Sequence, residues 1–172
     1  MTTVLTRHAV IALVAAARQR RRSPQVGGTN LAQAALDGLN LERAFLHGAN
    51  LQGANLQGTS LAGAYLQSAN LAGANLTGAN LAGANFSRAN LAGANLTDAD
   101  LEGTNFSQAN LDGTTLNGTQ LGRAYLGSRD IDRATTAQGA FTPPWHYGTH
   151  TREGAQPAPP SWRGRLWKLV GA

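Results

Sequence analysis

Between Thr29 and Arg133, every fifth residue counted from Leu31 is Leu, Phe or Ile, for 21 consecutive occurrences ending at Ile131. The residue two places earlier is small (Ala49, Ala54, Thr59, Ala64, Ala69) and the one just before is most often Asn (Asn50, Asn55, Asn70, Asn75, Asn80). Gly commonly closes the unit, as at Gly53, Gly58 and Gly63. A fixed internal period decides the architecture before any single element is assigned. Five suits neither regular element, since a helix wants apolar residues about every 3.6 positions and a strand every ~2. A unit such as Ala49-Asn50-Leu51-Gln52-Gly53 reads instead as a short extended piece pointing Ala and Leu inward, followed by a turn. Asn and Gly are the residues that tolerate turn backbone angles. Repeated, such units wind the chain into a coil whose successive turns stack at ~4.8 Å, the ordinary strand spacing.

These units resemble the pentapeptide repeat family, whose consensus is Ala-(Asp/Asn)-Leu-x-x, and the resemblance covers 105 of the 172 residues. It implies an all-β fold, a right-handed quadrilateral β-helix of about five coils with one unit on each of four sides. A weaker period of 20 in the sequence supports the four-fold count separately. Aromatic residues just before the apolar slot are Phe45, Tyr65 and Tyr125, all spaced by multiples of 20. Phe86 and Phe106, which replace Leu in the apolar slot, fall in the same class, as do the non-glycine closers Ser68, Arg88, Gln108 and Ser128. Coils of 20 residues put all of them on one side, which is therefore structurally distinct.

The sequence divides into a basic N-terminal helix or cap over 1–28, repeats over 29–141, a Pro-rich linker over 142–160 and a short basic amphipathic segment over 161–172. The core predicted for the repeats is a set of columns. One reads Leu31, Leu51, Leu71, Leu91, Leu111, Ile131, with Phe86 and Phe106 in a neighbour. Each coil touches only its neighbours, so the two ends need covers. Asn30, Asn50, Asn70, Asn90 and Asn110 share a further column, placed to form an amide ladder of the kind identical stacked residues make. The net charge of +5 is unevenly placed: +5 over 1–28 with no acid, −3 over 29–133 and +3 over 134–172. A reading of the whole chain as nucleic-acid-binding from its isoelectric point alone would miss this. Cysteine is absent, which excludes disulfides.

The N-terminal segment is apolar and then basic, Val10 to Ala17 followed by Arg18, Arg20, Arg21 and Arg22. Its Ala-rich run and terminal cations favour a helix of about four turns, stopped by Ser23-Pro24. The apolar run is too short to span a bilayer, which needs roughly 20 residues. Three readings stay open for it. It is a cap over the exposed edge of the first coil, a basic patch for anionic lipid or nucleic acid, or, as the alternative to the cytoplasmic location otherwise expected, a cleaved targeting segment at residues 1–17.

Outward residues of the repeats are mostly short and neutral. Candidates for an interaction face are the aromatic column Phe45, Tyr65 and Tyr125, with Arg88 on the same side, since aligned exposed aromatics serve as interface anchors. The alternative is that each covers a coil corner. The acids Asp98, Asp100, Glu102, Asp112, Asp130 and Asp132 spread over several sides and read as solvated surface. By the resemblance, some family members imitate DNA and bind DNA gyrase, protecting it from quinolones. A mimic needs strong negative charge in place of phosphates, and −3 over the repeats argues against DNA gyrase as the partner.

After Ile131 the period decays and Pro143-Pro144 ends it. His146 and His150 stand four apart, but Gly148 and the prolines oppose a helix that would aim both at one metal. Trp162, Leu166, Leu169 and Val170 recur at helical spacing, with Trp167 beside them and Arg163, Arg165 and Lys168 around the turn. A helix this short is marginal alone, so it predicts docking on the rod, on a second subunit as a homodimer, or on an anionic membrane surface. No catalytic, cofactor-binding or metal-ligating set is recognisable, and the recurrent glycines serve turns rather than a phosphate loop. The expectation is a non-catalytic scaffold or protein–protein interaction module needing no cofactor, its partner unnamed by the sequence.

Overall fold

The computed structural model describes residues 5–125. Ile131, Ser128, the His146/His150 pair and the expected linker and amphipathic segment, with Trp162, Arg163, Arg165, Leu166, Trp167 and Lys168, lie outside the described residues.

Each five-residue unit closes on itself. The Ala54 N–H donates to the Leu51 carbonyl at 3.0 Å, and the same bond joins Ala74 to Leu71 and Ala94 to Leu91. The third residue of each such turn is left-handed, with φ of +62° at Gly53 and +65° at Gly73. Glycine reaches that region without steric penalty, which is why it closes the unit. Gln33, Arg43, Ser68, Arg88, Asp98 and Gln108 take the same slot with φ between +54° and +60°, at a cost of roughly 1–2 kcal/mol each.

Successive coils pair in parallel, always 20 residues apart. Asn30, Asn50, Asn70, Asn90 and Asn110 form one line of bridges, and lines through Asn55, Ser60 and Tyr65 form three more. Around Asn50 the Leu51 N–H donates to the Asn70 carbonyl at 2.7 Å, the Asn70 N–H to the Ala49 carbonyl at 2.9 Å, and the Gly53 N–H to the Ala72 carbonyl at 2.9 Å. Four units with four turns therefore make one coil, with a side centred on each line. The chain is a β-helical solenoid.

Ala and Leu of every unit point inward, and the columns are dry: Leu31, Leu51, Leu71, Leu91 and Leu111 are all buried, as are Phe86 and Phe106. The two Phe rings stack at 5.3 Å with an interplanar angle of 20°. Burying each Leu contributes about 1.5–3 kcal/mol relative to exposure. Where Thr replaces the inward Ala its hydroxyl finds a carbonyl: Thr59 donates to Leu36 and Thr104 to Leu81 of the preceding coil, both at 2.8 Å, and Thr119 to Leu116 of its own coil at 3.0 Å. A buried hydroxyl is tolerated because it is paired.

Helix α1, Arg7–Gln19, begins at Thr6, whose hydroxyl accepts the Ala9 N–H at 3.3 Å, and lies over the first coil. Val10 is fully buried against the Leu columns, with Leu5 and Val14 packed beside it. Arg7 donates to the Ala35 carbonyl at 2.8 Å and pairs with the Asp37 carboxylate at 3.1 Å. At the other end Arg18 donates to the Asn40 carbonyl at 3.0 Å. The helix stops at Gln19, several residues before Ser23-Pro24, because the Arg20 N–H closes on the Ala16 and Ala17 carbonyls and Arg21 turns left-handed at φ +52°. That reversal lets the Pro24 carbonyl accept the Phe45 N–H at 2.8 Å and start the ladder.

Candidate functional site

The slot before the inward Leu sets what each side shows to solvent. On the Asn50 side it carries an amide ladder. Asn50 Nδ2 donates to Asn30 Oδ1 at 3.2 Å, Asn70 to Asn50 at 3.3 Å and Asn90 to Asn70 at 3.2 Å. The same Oδ1 atoms accept the N–H two residues on, Gln52 onto Asn50 and Ala72 onto Asn70, both at 3.2 Å. Asn110 continues the column, and its Oδ1 accepts the Asp112 N–H at 3.0 Å. Asn is favoured in this slot because its side chain completes the local turn, and stacking is a consequence of the repeat. These amides are occupied with structure.

On the Tyr65 side the equivalent slot reads Gln25, Phe45, Tyr65, Asn85, Asn105, Tyr125. Phe45 and Tyr65 are adjacent coils of one column, and their rings stack with centroids 4.7 Å apart and planes 9° from parallel. Coil spacing of ~4.8 Å delivers aromatic stacking distance without adjustment. The pair stays open to solvent, Phe45 at 38% and Tyr65 at 41% of full exposure. Tyr125 shares the column and is more exposed, at 59%, but Asn85 and Asn105 separate it from the pair. The column is thus a stacked pair plus one remote ring rather than a continuous stripe.

Below Asn85 and Asn105 sit the buried Phe86 and Phe106, so this side carries its aromatic bulk outside in some coils and inside in others. Arg88 lies on the same side, two residues past Phe86, and its Nε donates to Gln108 Oε1 at 3.0 Å. Charge separates the sides further. Asp112 lies on the Asn50 side, Asp37 and Asp98 on the Asn55 side, and Glu42, Asp100 and Glu102 on the Ser60 side; among the described residues the Tyr65 side has no carboxylate. Spacing alone shows this once the period is 20, yet it emerges only when each coil position is assigned to its side.

The N-terminal end holds a second group of exposed side chains. A shallow apolar groove of about 230 Å³ runs beside α1, formed by Ile11, Val14, Ala15 and Leu39 and closed by Arg18. Next to it is a wider basic hollow of about 370 Å³ around Arg18, Arg21, Arg22 and Arg43. Glu42 shares that hollow, its Oε1 accepting the Ser60 hydroxyl at 2.9 Å. Arg20 is exposed on the same stretch of chain. Arg43 belongs to the rod and joins Arg18, Arg21 and Arg22 because position 43 stands one coil above Ser23. Among the described residues no cluster of His, Cys, Asp or Glu has the geometry of a metal site. No described helix is long and apolar enough to cross a membrane.

A profile of pentapeptide repeats matches residues 29–67, 59–98 and 89–127, more than half of the chain, and the chain belongs to the pentapeptide repeat family. Among solved structures it is similar to a pentapeptide repeat protein from the Arabidopsis thaliana thylakoid lumen, at 32% identity over 56% of this chain and 68% of that one, with a TM-score of 0.55. It is also similar to the pentapeptide repeat protein Rfr23 of the cyanobacterium Cyanothece 51142, at 28% identity over 74% of this chain and 95% of that one, with a TM-score of 0.62. QnrB1, a plasmid-mediated fluoroquinolone resistance protein, shares 18% identity over 66% of this chain and 70% of its own, at a TM-score of 0.29. No curated protein matches by sequence.

Proposed function

We propose that this protein is a non-catalytic scaffold, a right-handed quadrilateral β-helix of about five coils, which binds a protein partner through its Tyr65 side. The observation that carries this reading is the solvent-exposed Phe45–Tyr65 stack. Large aromatic rings left half-exposed are the side chains that anchor protein interfaces, and neither ring is needed to fill the Leu core. The acid-free side around the stack, with Arg88 at one margin, suits a partner surface that is apolar at its centre and neutral or acidic at its rim. Among the described residues the other sides expose no large aromatic ring; they carry mostly short polar residues, many hydrogen-bonded within the coil, and charged groups such as Glu42, Arg43 and Asp98.

The test compares what the full chain captures with what two variants capture under identical conditions. Phe45→Ala combined with Tyr65→Ala is expected to lose the specific partner, whereas Gln57→Ala on the Asn55 side retains it. Capture that survives loss of both rings would contradict the reading. DNA gyrase has weaker support as the partner, because the −3 charge over 29–133 is small and absent from the Tyr65 side. Inhibition of gyrase supercoiling by the purified protein would reverse that judgement.

A further inference from the structure

The end of the rod covered by α1 carries more apolar and basic surface than a cap requires. Its inward stripe is complete with Arg7, Val10, Val14 and the half-buried Ala17. Yet the flanks of the helix expose Ile11 at 42% and Leu13 at 41%, and the outer surface between them carries Ala12, Ala15 and Ala16 beside the exposed His8 and Gln19. A helix whose only function was to shield the first coil would be polar on that outer face. Instead it leads into Arg20, Arg21 and Arg22, which make no side-chain hydrogen bond or ion pair among the described residues. Residues 1–28 contain no carboxylate at all.

We infer that the α1 end is a docking surface for an anionic phospholipid membrane. Headgroup phosphates would sit in the basic hollow of Arg18, Arg21, Arg22 and Arg43, with Arg20 beside it, while Ile11 and Leu13 enter the boundary between headgroups and acyl chains. Charge complementarity selects this occupant. A second copy of the same end would bring two clusters of Arg18, Arg21, Arg22 and Arg43 together with only Glu42 in each hollow to meet them. A bare polyanion such as nucleic acid would leave Ile11 and Leu13 without a function. The groove beside α1 runs from apolar residues into the basic hollow, the same order of chemistry that a lipid presents from chain to headgroup. Within residues 1–133 the charge is also polarised: +5 over 1–28 against −3 over 29–133 favours the helix end over the repeats as the part that meets an anionic surface. Because α1 crosses the open end of the rod, docking this way stands the rod away from the membrane and leaves the Tyr65 side accessible.

Flotation of the full-length chain with phosphatidylcholine vesicles containing about 30% phosphatidylserine tests this directly, since juxtamembrane Lys and Arg are attracted by the surface potential of such lipids. The wild type is expected to float with these vesicles, not with pure phosphatidylcholine, and to be released as salt is raised. Replacing Arg20, Arg21 and Arg22 by Gln should weaken partitioning at least ~30-fold, given the strength of attraction per basic residue. Ile11→Ser with Leu13→Ser should weaken it several-fold even at low salt, a loss that duplex DNA binding would not show. Both variants change exposed residues, and unchanged thermal melting confirms that they fold. A control full-length chain carries Gln at Arg163, Arg165 and Lys168. Vesicle binding that vanishes in that control but persists in the Arg20–Arg22 variant would overturn the inference. So would a wild type that ignores anionic vesicles, or one that binds duplex DNA independently of Ile11 and Leu13.

Discussion

Asn70 and Tyr65 occupy the same slot of successive repeats on neighbouring sides of one coil. Their backbones make the same bonds: each N–H donates to a carbonyl one coil back, Asn70 to Ala49 and Tyr65 to Ala44, both at 2.9 Å. Only the side chains differ. Asn70 turns inward on the structure, bonding Asn50, Asn90 and the Ala72 N–H. Tyr65 touches Phe45 and otherwise faces solvent. The comparison shows that the coil is held by its backbone ladder and Leu columns, and that a side chain in this slot is free to be something else. Where it is not Asn, the departure carries information.

The largest effect that can break this picture lies in the core both columns share. Leu91→Asp would place an unpaired carboxylate in a fully buried column and should cost about 4 kcal/mol or more. Unchanged thermal unfolding of that variant would contradict the coil itself. Removing one rung of the amide column is milder. Asn70→Ala deletes three hydrogen bonds, but the released groups are part-exposed and reach water, so about 1–2 kcal/mol is expected in urea titration. A neutral result would mean that the amides stack without contributing.

Smaller still are the turn residues that separate the Tyr65 side from the others. Ser68 holds φ +58° and Gly73, its counterpart on the Asn50 side, φ +65°. Relief of left-handed strain, roughly 1–2 kcal/mol, is partly offset by the extra freedom glycine has when unfolded, roughly 0.4–1 kcal/mol. Ser68→Gly should therefore stabilise by several tenths to about 1 kcal/mol. Gly73→Ala should destabilise by a similar amount, although open space surrounds its Cβ position. Shifts of the same sign in both would show that the two turns differ in backbone as well as in sequence.

Much of this was legible in the sequence. The unbroken apolar slot from Leu31 onward revealed the coil, and the 20-residue recurrence of Phe45, Tyr65, Phe86, Phe106 and Arg88 marked one side as different. The stop of α1 was not legible, because Ser23-Pro24 is the stronger local signal while the reversal at Arg21 serves the entry into the first coil. Nor was the gap in the aromatic column evident as a physical separation: Tyr65 and Tyr125 share a column, but stacking needs adjacent coils. Arg43 joined the basic hollow through its position one coil above Ser23, a proximity that sequence distance hides. Exposure of Ile11 and Leu13 depended on which stripe α1 turned inward, and several stripes of that helix are apolar enough to serve.

The central claim is that Tyr65 is retained for what it presents, while its neighbour Leu66 is retained for what it fills. Chemical denaturation of Tyr65→Ala and Leu66→Ala, measured side by side, tests it without knowledge of the partner. Leu66 is fully buried, so its truncation should cost about 2–5 kcal/mol. Loss of the Phe45 stack should cost about 1 kcal/mol, leaving the Tyr65→Ala transition close to that of the wild type. A Tyr65→Ala protein that unfolds as early as Leu66→Ala would make the aromatic column part of the structure and remove the candidate interaction face.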